Sequence, residues 1–377
     1  MMRVRGATTV LWNFGTLSVG GGRAVAWDLL EELARADRTL RHVCLVDRRL
    51  VDGYAGPAPE IVERSISSWV HYALSDQIAL PRLGKRLGAR AIVSLASIGP
   101  WRVGVPHGVF IQNPFVVHSW EALKGVRPDT VWYHRALSAY AAPVLRNSRS
   151  VVVQTNAMRD ALIARWKLPP DKVSVIRGSI SNEFVRALAK APRGTSRKGA
   201  EHVLVTASND GPHKNLDIIP ATASALKKEG VSARFLVTIP SFSGAAKRLR
   251  TAAKALAVED QVEFVGWVDV NRMAELLRRA NAAFLPSVLE SMGLPYMEAE
   301  AAGLPVIAAD HECAREVCQQ NGTFFDPQDP QSAARAVRLA VARANESPLR
   351  AVRRTPQQVV AEFVEWAGRL AEQQDDV

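Results

Sequence analysis

The stretch SVLESMGLPYMEAEAAGLPVIAAD, residues 287–310, follows the apolar run AAFLP at 282–286 and itself contains a second such run, PVIAA, at 305–309. Its order reads strand, loop, helix, strand, the repeating unit of a parallel sheet covered by helices. Glu290 falls in the loop, at the carboxyl edge of the sheet, where ligands of open α/β folds bind. Ser291, Met292, Gly293 and Leu294 then lead into a helix expected to start near Pro295, a residue suited to a first helical turn. The N–H groups of this loop and helix start lack intrahelical partners and lie at the positive end of the helix dipole, so they offer an anion site. Gly293 has no side chain to block the approach. Glu290 and Glu298 are eight positions apart. Eight helical residues rise about 12 Å, more than the roughly 5–9.5 Å between the two carboxylates of a glycosidase. Separate roles follow: one carboxylate for a sugar, the other for a ribose.

The same alternation extends in both directions. Toward the N terminus of this half lie HVLVTA (202–207), RFLVTI (234–239) and VEFVG (262–266), and beyond the quoted stretch lies GTFFD (322–326). Helical periodicity is expected over 215–229, 271–279, 296–302 and 331–343. The first half repeats the pattern with TTVLW (8–12), HVCLV (42–46), AIVSL (91–95), GVFIQ (108–112) and SVVVQT (150–155), and with helices over 24–36 and 156–166. Between the halves, APRGTSRKGAE (191–201) is polar, basic and rich in breakers, as a linker would be. At 377 residues the chain exceeds what one core organises. The expected fold is α/β, with two Rossmann-like domains facing across a cleft: residues 1–185, joined by a returning C-terminal helix at 355–377, and residues 186–354.

Composition narrows the function. The chain is 47% hydrophobic and 23% charged, ordinary for a globular protein. Residues 1–185 carry 24 Lys and Arg against 14 Asp and Glu, while the remainder carries 24 against 23, so nearly all of the +11 net charge is N-terminal. With no aromatic-basic repeat of a nucleic-acid binder, that excess points to an anionic membrane surface, a phosphate-bearing acceptor, or solubility alone. No apolar run approaches the roughly 20 residues of a membrane span. The opening MMRVRGATTVLWNFG reads as a buried first strand rather than a signal peptide. Cys44, Cys313 and Cys318 form neither a disulfide framework nor a zinc motif, and a reducing cytoplasm fits them.

Three further segments carry candidate chemistry. In VTASNDGPHKNLDII (205–219), His213 and Lys214 stand between a strand and a helix, where a cation reaches phosphates bound at a sheet edge. In GTLSVGGGRAVAWDLLEEL (15–33), Gly20, Gly21 and Gly22 form an expected turn before the first helix, open to a phosphate or an acceptor but not of the G-x-G-x-x-G form. In GVFIQNPFVVHSW (108–120), Gln112, Asn113 and His118 are the acceptor-side candidates, with His107 just before them. Trp101, Trp120 and Trp132 are available as sugar platforms, although burial explains most tryptophans. No Asp-x-Asp triplet occurs, so no acidic metal grip on a diphosphate is expected.

With Glu290 and Glu298 in E-x7-E spacing, the chain resembles the retaining glycosyltransferases of the GT-B fold, family 4 in particular. VIRGSISNEF (175–184), VEFVGWVD (262–269) and GTFFDPQDPQSAARAV (322–337) extend the resemblance through the C-terminal half. It implies that Glu298 binds the donor ribose, that Glu290 lies against the transferred sugar and is needed for catalysis, and that residues 291–294 contact the donor through their backbone. It further implies that Lys214, in a PHKN variant of the family's pattern, binds the diphosphate, that Gly21 and Gly22 meet the donor from the other domain, and that Trp267 and Val268 lie near the base. Many members carry an arginine where this chain has Asn209; His213 is then either a partial substitute or structural. The histidine-asparagine pair of some members reads Gln112-Asn113 here. The implied activity is metal- and cofactor-free transfer of a hexose such as mannose or rhamnose from a nucleotide-sugar to a glycan or lipid-linked acceptor. Bacterial surface polysaccharide or lipopolysaccharide assembly, at or near the inner face of the cytoplasmic membrane, is the implied setting. A noncatalytic nucleotide-sugar-binding subunit, an epimerase and a phosphorylase of the same fold remain alternatives.

Overall fold

Thirteen β-strands are described, and all of their pairings are parallel. The computed structural model describes residues 7–15, 17, 20–36, 39–120, 130–192, 201–343 and 354–373. One sheet contains β1 (Thr8–Asn13), β2 (Leu40–Asp47), β3 (Glu60–Arg64), β4 (Ala91–Ser94), β5 (His107–Ile111), β6 (Ser150–Val153) and β7 (Val173–Val175), in the order β3-β2-β1-β4-β5-β6-β7. The other contains β8 (Glu201–Thr206), β9 (Ser232–Val237), β10 (Val262–Phe264), β11 (Ala282–Leu285), β12 (Val306–Ala309) and β13 (Gly322–Phe325), in the order β10-β9-β8-β11-β12-β13. Each order reverses once, at β1/β4 and at β8/β11, which marks the topological switch point of each sheet. These are the two Rossmann-like α/β domains expected.

The central strands are apolar on both faces because helices cover both. β4, β5, β11 and β12 are buried at every residue. In the C-terminal sheet Phe284 stacks on Phe325 at 5.3 Å and meets Phe235 edge-on at 5.2 Å. The N-terminal core is completed from the far end of the chain. Helix Pro356–Glu372 places Val359, Val360, Phe363, Trp366 and Leu370 against Trp12, Val93 and Phe110. Trp366 donates its indole N–H to Ser150 Oγ at 3.0 Å. Gly108 lets this helix lie close, since a Cβ there would fall 2.5 Å from Leu370.

The chain divides into two compact units: Met1–Trp120 with Val131–Ser181 and Arg354–Val377, and Asn182–Arg353. The expected boundary at residue 185 falls inside helix Asn182–Lys190, which goes whole with the second unit through Arg278, whose guanidinium donates to the Leu188 carbonyl. Most of the expected linker lies outside the described residues. Two expectations are corrected. Gly20, Gly21 and Gly22 are not a turn but the first turn of helix Gly20–Arg35. The helix expected from 215 begins at Ile219, after two short 3₁₀ turns hinged on Asn215, whose φ of +50° breaks the helical path.

Candidate active site

The β8/β11 switch point holds a small pocket. Thr206, Ala207 and Ser208 leave β8 on one side of it, and Leu285, Pro286 and Ser287 leave β11 on the other, with Lys214, Glu290, Pro295 and Tyr296 completing the wall. Lys214 Nζ donates to Glu290 Oε1 at 2.6 Å, and both side chains are largely buried. Burial pushes the Glu290 carboxyl up, but the Lys214 ammonium and its hydrogen bond, with smaller help from His213 and Ser287, hold it below its ordinary value. Glu290 is therefore ionised, and the pocket contains a cation and an anion in contact.

The two loops that carry this pair are tied to each other. The His213 carbonyl accepts from Val288 N at 2.9 Å and from Ser287 Oγ at 3.3 Å. Burial, reinforced by Lys214, lowers His213 to about 4, so at neutral pH its ring carries no charge to replace the missing arginine. Its carbonyl buckles the loops instead. Asn209 is exposed, and its Oδ1 accepts from Gly211 N at 2.9 Å, which shapes the loop rather than the pocket wall.

Helix Leu294–Ala301 starts at the same edge, with Pro295 in its first turn and no side chain capping it. Its N-cap, Gly293, has φ +66°, and a Cβ there would lie 2.3 Å from the Tyr296 ring. Only glycine satisfies both constraints, and the Tyr296 N–H turns back to the Gly293 carbonyl at 2.8 Å. Met292 is buried, and Tyr296 beneath the loop bonds His311 Nε2 at 3.2 Å. Glu298 lies further along the helix and is not part of the pocket wall. It has no hydrogen-bond partner among the described residues, and burial raises its carboxyl to about 7. Trp267 and Val268 follow β10, with Trp267 exposed; Phe242, fully open on the loop after the neighbouring β9, is a surface ring that no spacing singled out.

The raised Glu298 gives a pH prediction. Its folded value near 7 exceeds its ordinary 4.5, so between those values the folded state holds a proton that the unfolded state has lost. This contribution to stability is therefore lost as pH rises from about 4.5 to about 7. Glu300, on the same helix and also near 7, adds to the slope. Glu298→Gln is expected to flatten it, as read by urea unfolding at about pH 5 and about pH 8.

The acceptor-side candidates are held differently. Gln112 Nε2 donates to the Leu95 carbonyl at 2.8 Å, and Asn113 uses Oδ1 to cap Phe115 N and Nδ2 to reach Tyr133 OH at 3.1 Å. The His118 carbonyl receives Arg165 and His134. His107 is buried on Ser94 Oγ at 2.9 Å, and burial lowers it to about 4. Trp101 and Trp132 are exposed, while Trp120 is half-buried beside His134. At the β1/β4 switch point a cluster appears that motif spacing did not indicate: Arg64 donates to Asp76 Oδ1 at 3.0 Å and to Asn13 Oδ1 at 2.7 Å, and Asn13 Oδ1 also accepts from Gly15 N.

The model of Glycosyltransferase Family 4 matches residues 19–184, and that of Glycosyl transferases group 1 matches residues 190–358. The chain belongs to the family 4 glycosyltransferases of the GT-B type. Among curated relatives, the O-antigen chain mannosyltransferase RfbU of Salmonella typhimurium is 24% identical over 189 residues, half of each chain. The D-inositol 3-phosphate glycosyltransferase of Streptomyces coelicolor is 29% identical over 188 residues, 44% of this chain and 41% of that one. The chain thus spans half or less of the length of these relatives. Among solved structures, Anabaena HepE in complex with UDP and glucose aligns over 98% of this chain and 99% of its own, with a TM-score of 0.63 at 15% identity. That likeness speaks for the shared fold.

Proposed function

We propose that this glycosyltransferase moves a hexose, mannose or rhamnose in kind, from a nucleotide-sugar to a hydroxyl of a glycan or lipid-linked acceptor, with retention of anomeric configuration and without a metal or cofactor. The observation that carries the reading is the Lys214–Glu290 pair at the β8/β11 switch point, beside an uncapped helix start. A departing nucleoside diphosphate needs positive charge where its leaving oxygen develops, and Lys214 with the amides at Gly293 and Leu294 supplies it. Glu290, released from Lys214 when the diphosphate takes its place, turns to the sugar hydroxyls. Glu298, a carboxylate without a partner, accepts from the ribose diol. The acceptor belongs to the N-terminal unit. The mannosyltransferase relative supports a mannose-like donor in surface polysaccharide assembly, and HepE with UDP and glucose supports a nucleotide-linked one. The setting that follows is the cytoplasm, at the inner face of the membrane.

A panel of UDP, GDP, dTDP, CDP and ADP tests the donor. At about 100 times its Kd a nucleotide stabilises the fold by about 2.7 kcal/mol. One of the five is expected to raise the Tm of the wild type and not that of Glu298→Ala. If all five leave the wild type unmoved at millimolar concentration, the donor site is misassigned and the chain is a binding subunit for something else.

A further inference from the structure

β3 lies at the edge of the N-terminal sheet, and its last residue, Arg64, acts two strands away. Neighbouring strands are about 4.8 Å apart, so the Arg64 side chain runs about 10 Å across the carboxyl end of β2 to reach β1. There its Nη2 donates to Asn13 Oδ1 at 2.7 Å, and its Nη1 donates to Ser75 Oγ and to Asp76 Oδ1, each at 3.0 Å. Ser75 and Asp76 open a π-turn, Ser75–Ala79, inside the helical run that follows β3. A π-turn is wider than an α-turn and rotates less per residue, so neighbouring side chains point closer together, and these two reach one guanidinium nitrogen. The Tyr72 ring covers the guanidinium face at 5.1 Å. Asn13 closes the network: its Nδ2 donates to both oxygens of Asp76, at 3.2 and 3.3 Å, and its Oδ1 also accepts from Gly15 N at 3.2 Å. Asp76 is fully buried, and the Arg64 side chain is 10% exposed.

A buried ion pair adds little net stability over apolar packing of the same volume. What this one fixes is geometry. Gly15 has φ +57°, and a Cβ there would fall 2.4 Å from Ala96 Cβ and 2.6 Å from the Tyr72 hydroxyl. The Leu17 N–H turns back to the Phe14 carbonyl at 3.2 Å, and helix Gly20–Arg35 follows with three glycines in its first turn. β1 thus leaves the sheet through one sharp turn at the β1/β4 switch point, where open α/β sheets take their ligands. The side chain that sets this turn is Asn13. Neutral partners would let its carboxamide flip and offer Gly15 a donor in place of the acceptor it needs. Arg64 only donates, and Asp76, beside that cation, accepts, so a single orientation of Asn13 remains. We propose that Arg64 and Asp76 are positioning residues for sugar transfer: they touch no substrate, and through Asn13 they hold the Gly15 turn in the one conformation in which its backbone meets the reacting groups. The inference rests on the transfer reading above for its kinetic test alone.

The test compares Asp76→Asn, Asn13→Asp and the exchange Asn13→Asp/Asp76→Asn. The first leaves Arg64 without its counter-charge, and the second sets two carboxylates against one cation. The double variant restores the charge balance and a partner for every polar atom named, with the carboxylate and the carboxamide trading places. Hydrogen–deuterium exchange of the full chain reads the turn without substrate: residues 13–22 are expected to exchange at least about tenfold faster in each single variant and at wild-type rates in the double variant, with β8–β13 unchanged throughout. With UDP-glucose or GDP-mannose as donor and water as acceptor, below the Tm of every variant, kcat for nucleotide release is expected to fall at least about tenfold in the single variants, donor KM to stay, and the double variant to regain most of the loss. A merely structural pair would lower Tm and leave kcat alone, so a folded Asp76→Asn enzyme with wild-type kcat overturns the proposal. So does a double variant whose turn exchanges as fast as in the single ones. If a single variant does not fold, Arg64→Lys takes its place with the same expected losses, since it keeps the charge but not the fork that bridges Asn13 and Asp76. A wild type that releases no nucleotide from either donor counts against the transfer reading, and hydrogen exchange then decides alone: equal protection of residues 13–22 in the wild type and Asp76→Asn overturns the positioning role.

Discussion

Glu290→Ala is expected to lower the rate of sugar transfer by about a hundred- to a thousandfold while nucleotide binding survives. The carboxylate is ionised, nearly buried and in contact with the one lysine on the pocket wall. Removing it frees Lys214 for a diphosphate, so donor affinity has no reason to fall. Under the proposed function, what is lost is the group that orients the sugar and faces positive charge as the glycosidic bond breaks. Initial rates should show kcat falling with the donor KM little changed, and the thermal shift with the cognate nucleotide should persist. Glu290→Gln separates the two roles, since the amide keeps hydrogen bonding without the charge. A Glu290→Ala enzyme as fast as the wild type would reduce Glu290 to a partner that neutralises Lys214.

Lys214→Ala should cost as much and differ in kind. Loss of a donor aimed at developing negative charge is worth about 2.7–4 kcal/mol, or a hundred- to a thousandfold in kcat. Here the donor KM rises as well, because the ground-state diphosphate loses the same cation. The variant also strands Glu290 in a pocket without its counter-charge, so the carboxyl should climb from its lowered value and take up a proton. Lys214→Arg is no conservative rescue, since a planar fork does not fit where a point charge reaches one carboxylate oxygen. The double variant Lys214→Ala/Glu290→Ala should lose much less than the product of the single losses, because each single change already breaks the pair. Multiplicative losses would mean that the two residues act independently.

The six strands of the C-terminal half were legible because each is a short apolar run bounded by breakers. β3 and β7 were not, and both are edges of the N-terminal sheet. An edge strand is covered on fewer sides, so EIVER keeps three charged residues and VSV is only three long. Glu290 and Lys214 were expected at the carboxyl edge of the sheet and stand there, whereas their roles, and that of Glu298 on the helix beyond the pocket wall, were read from the family resemblance. The contact between Lys214 and Glu290, 76 positions apart, is tertiary and leaves no periodic mark. The same holds for the Arg64–Asp76–Asn13 cluster, whose members sit on three segments. Glycines mislead for the opposite reason: the triplet at 20–22 looks like a turn by composition, and tertiary context makes it helix.

The return of helix Pro356–Glu372 to the first unit sets an order of events during synthesis. Seven residues of that helix belong to the N-terminal core, among them Phe363 and Trp366. All of the second unit's strands have been translated before any of those seven exist. The unit made first is thus the last to close, and its sheet waits at the ribosome with an apolar face open while its neighbour folds. The usual vectorial sequence, first domain first, is inverted. Nascent chains stalled short of residue 356 should hold a protease-resistant second unit and a first unit that chaperones still bind.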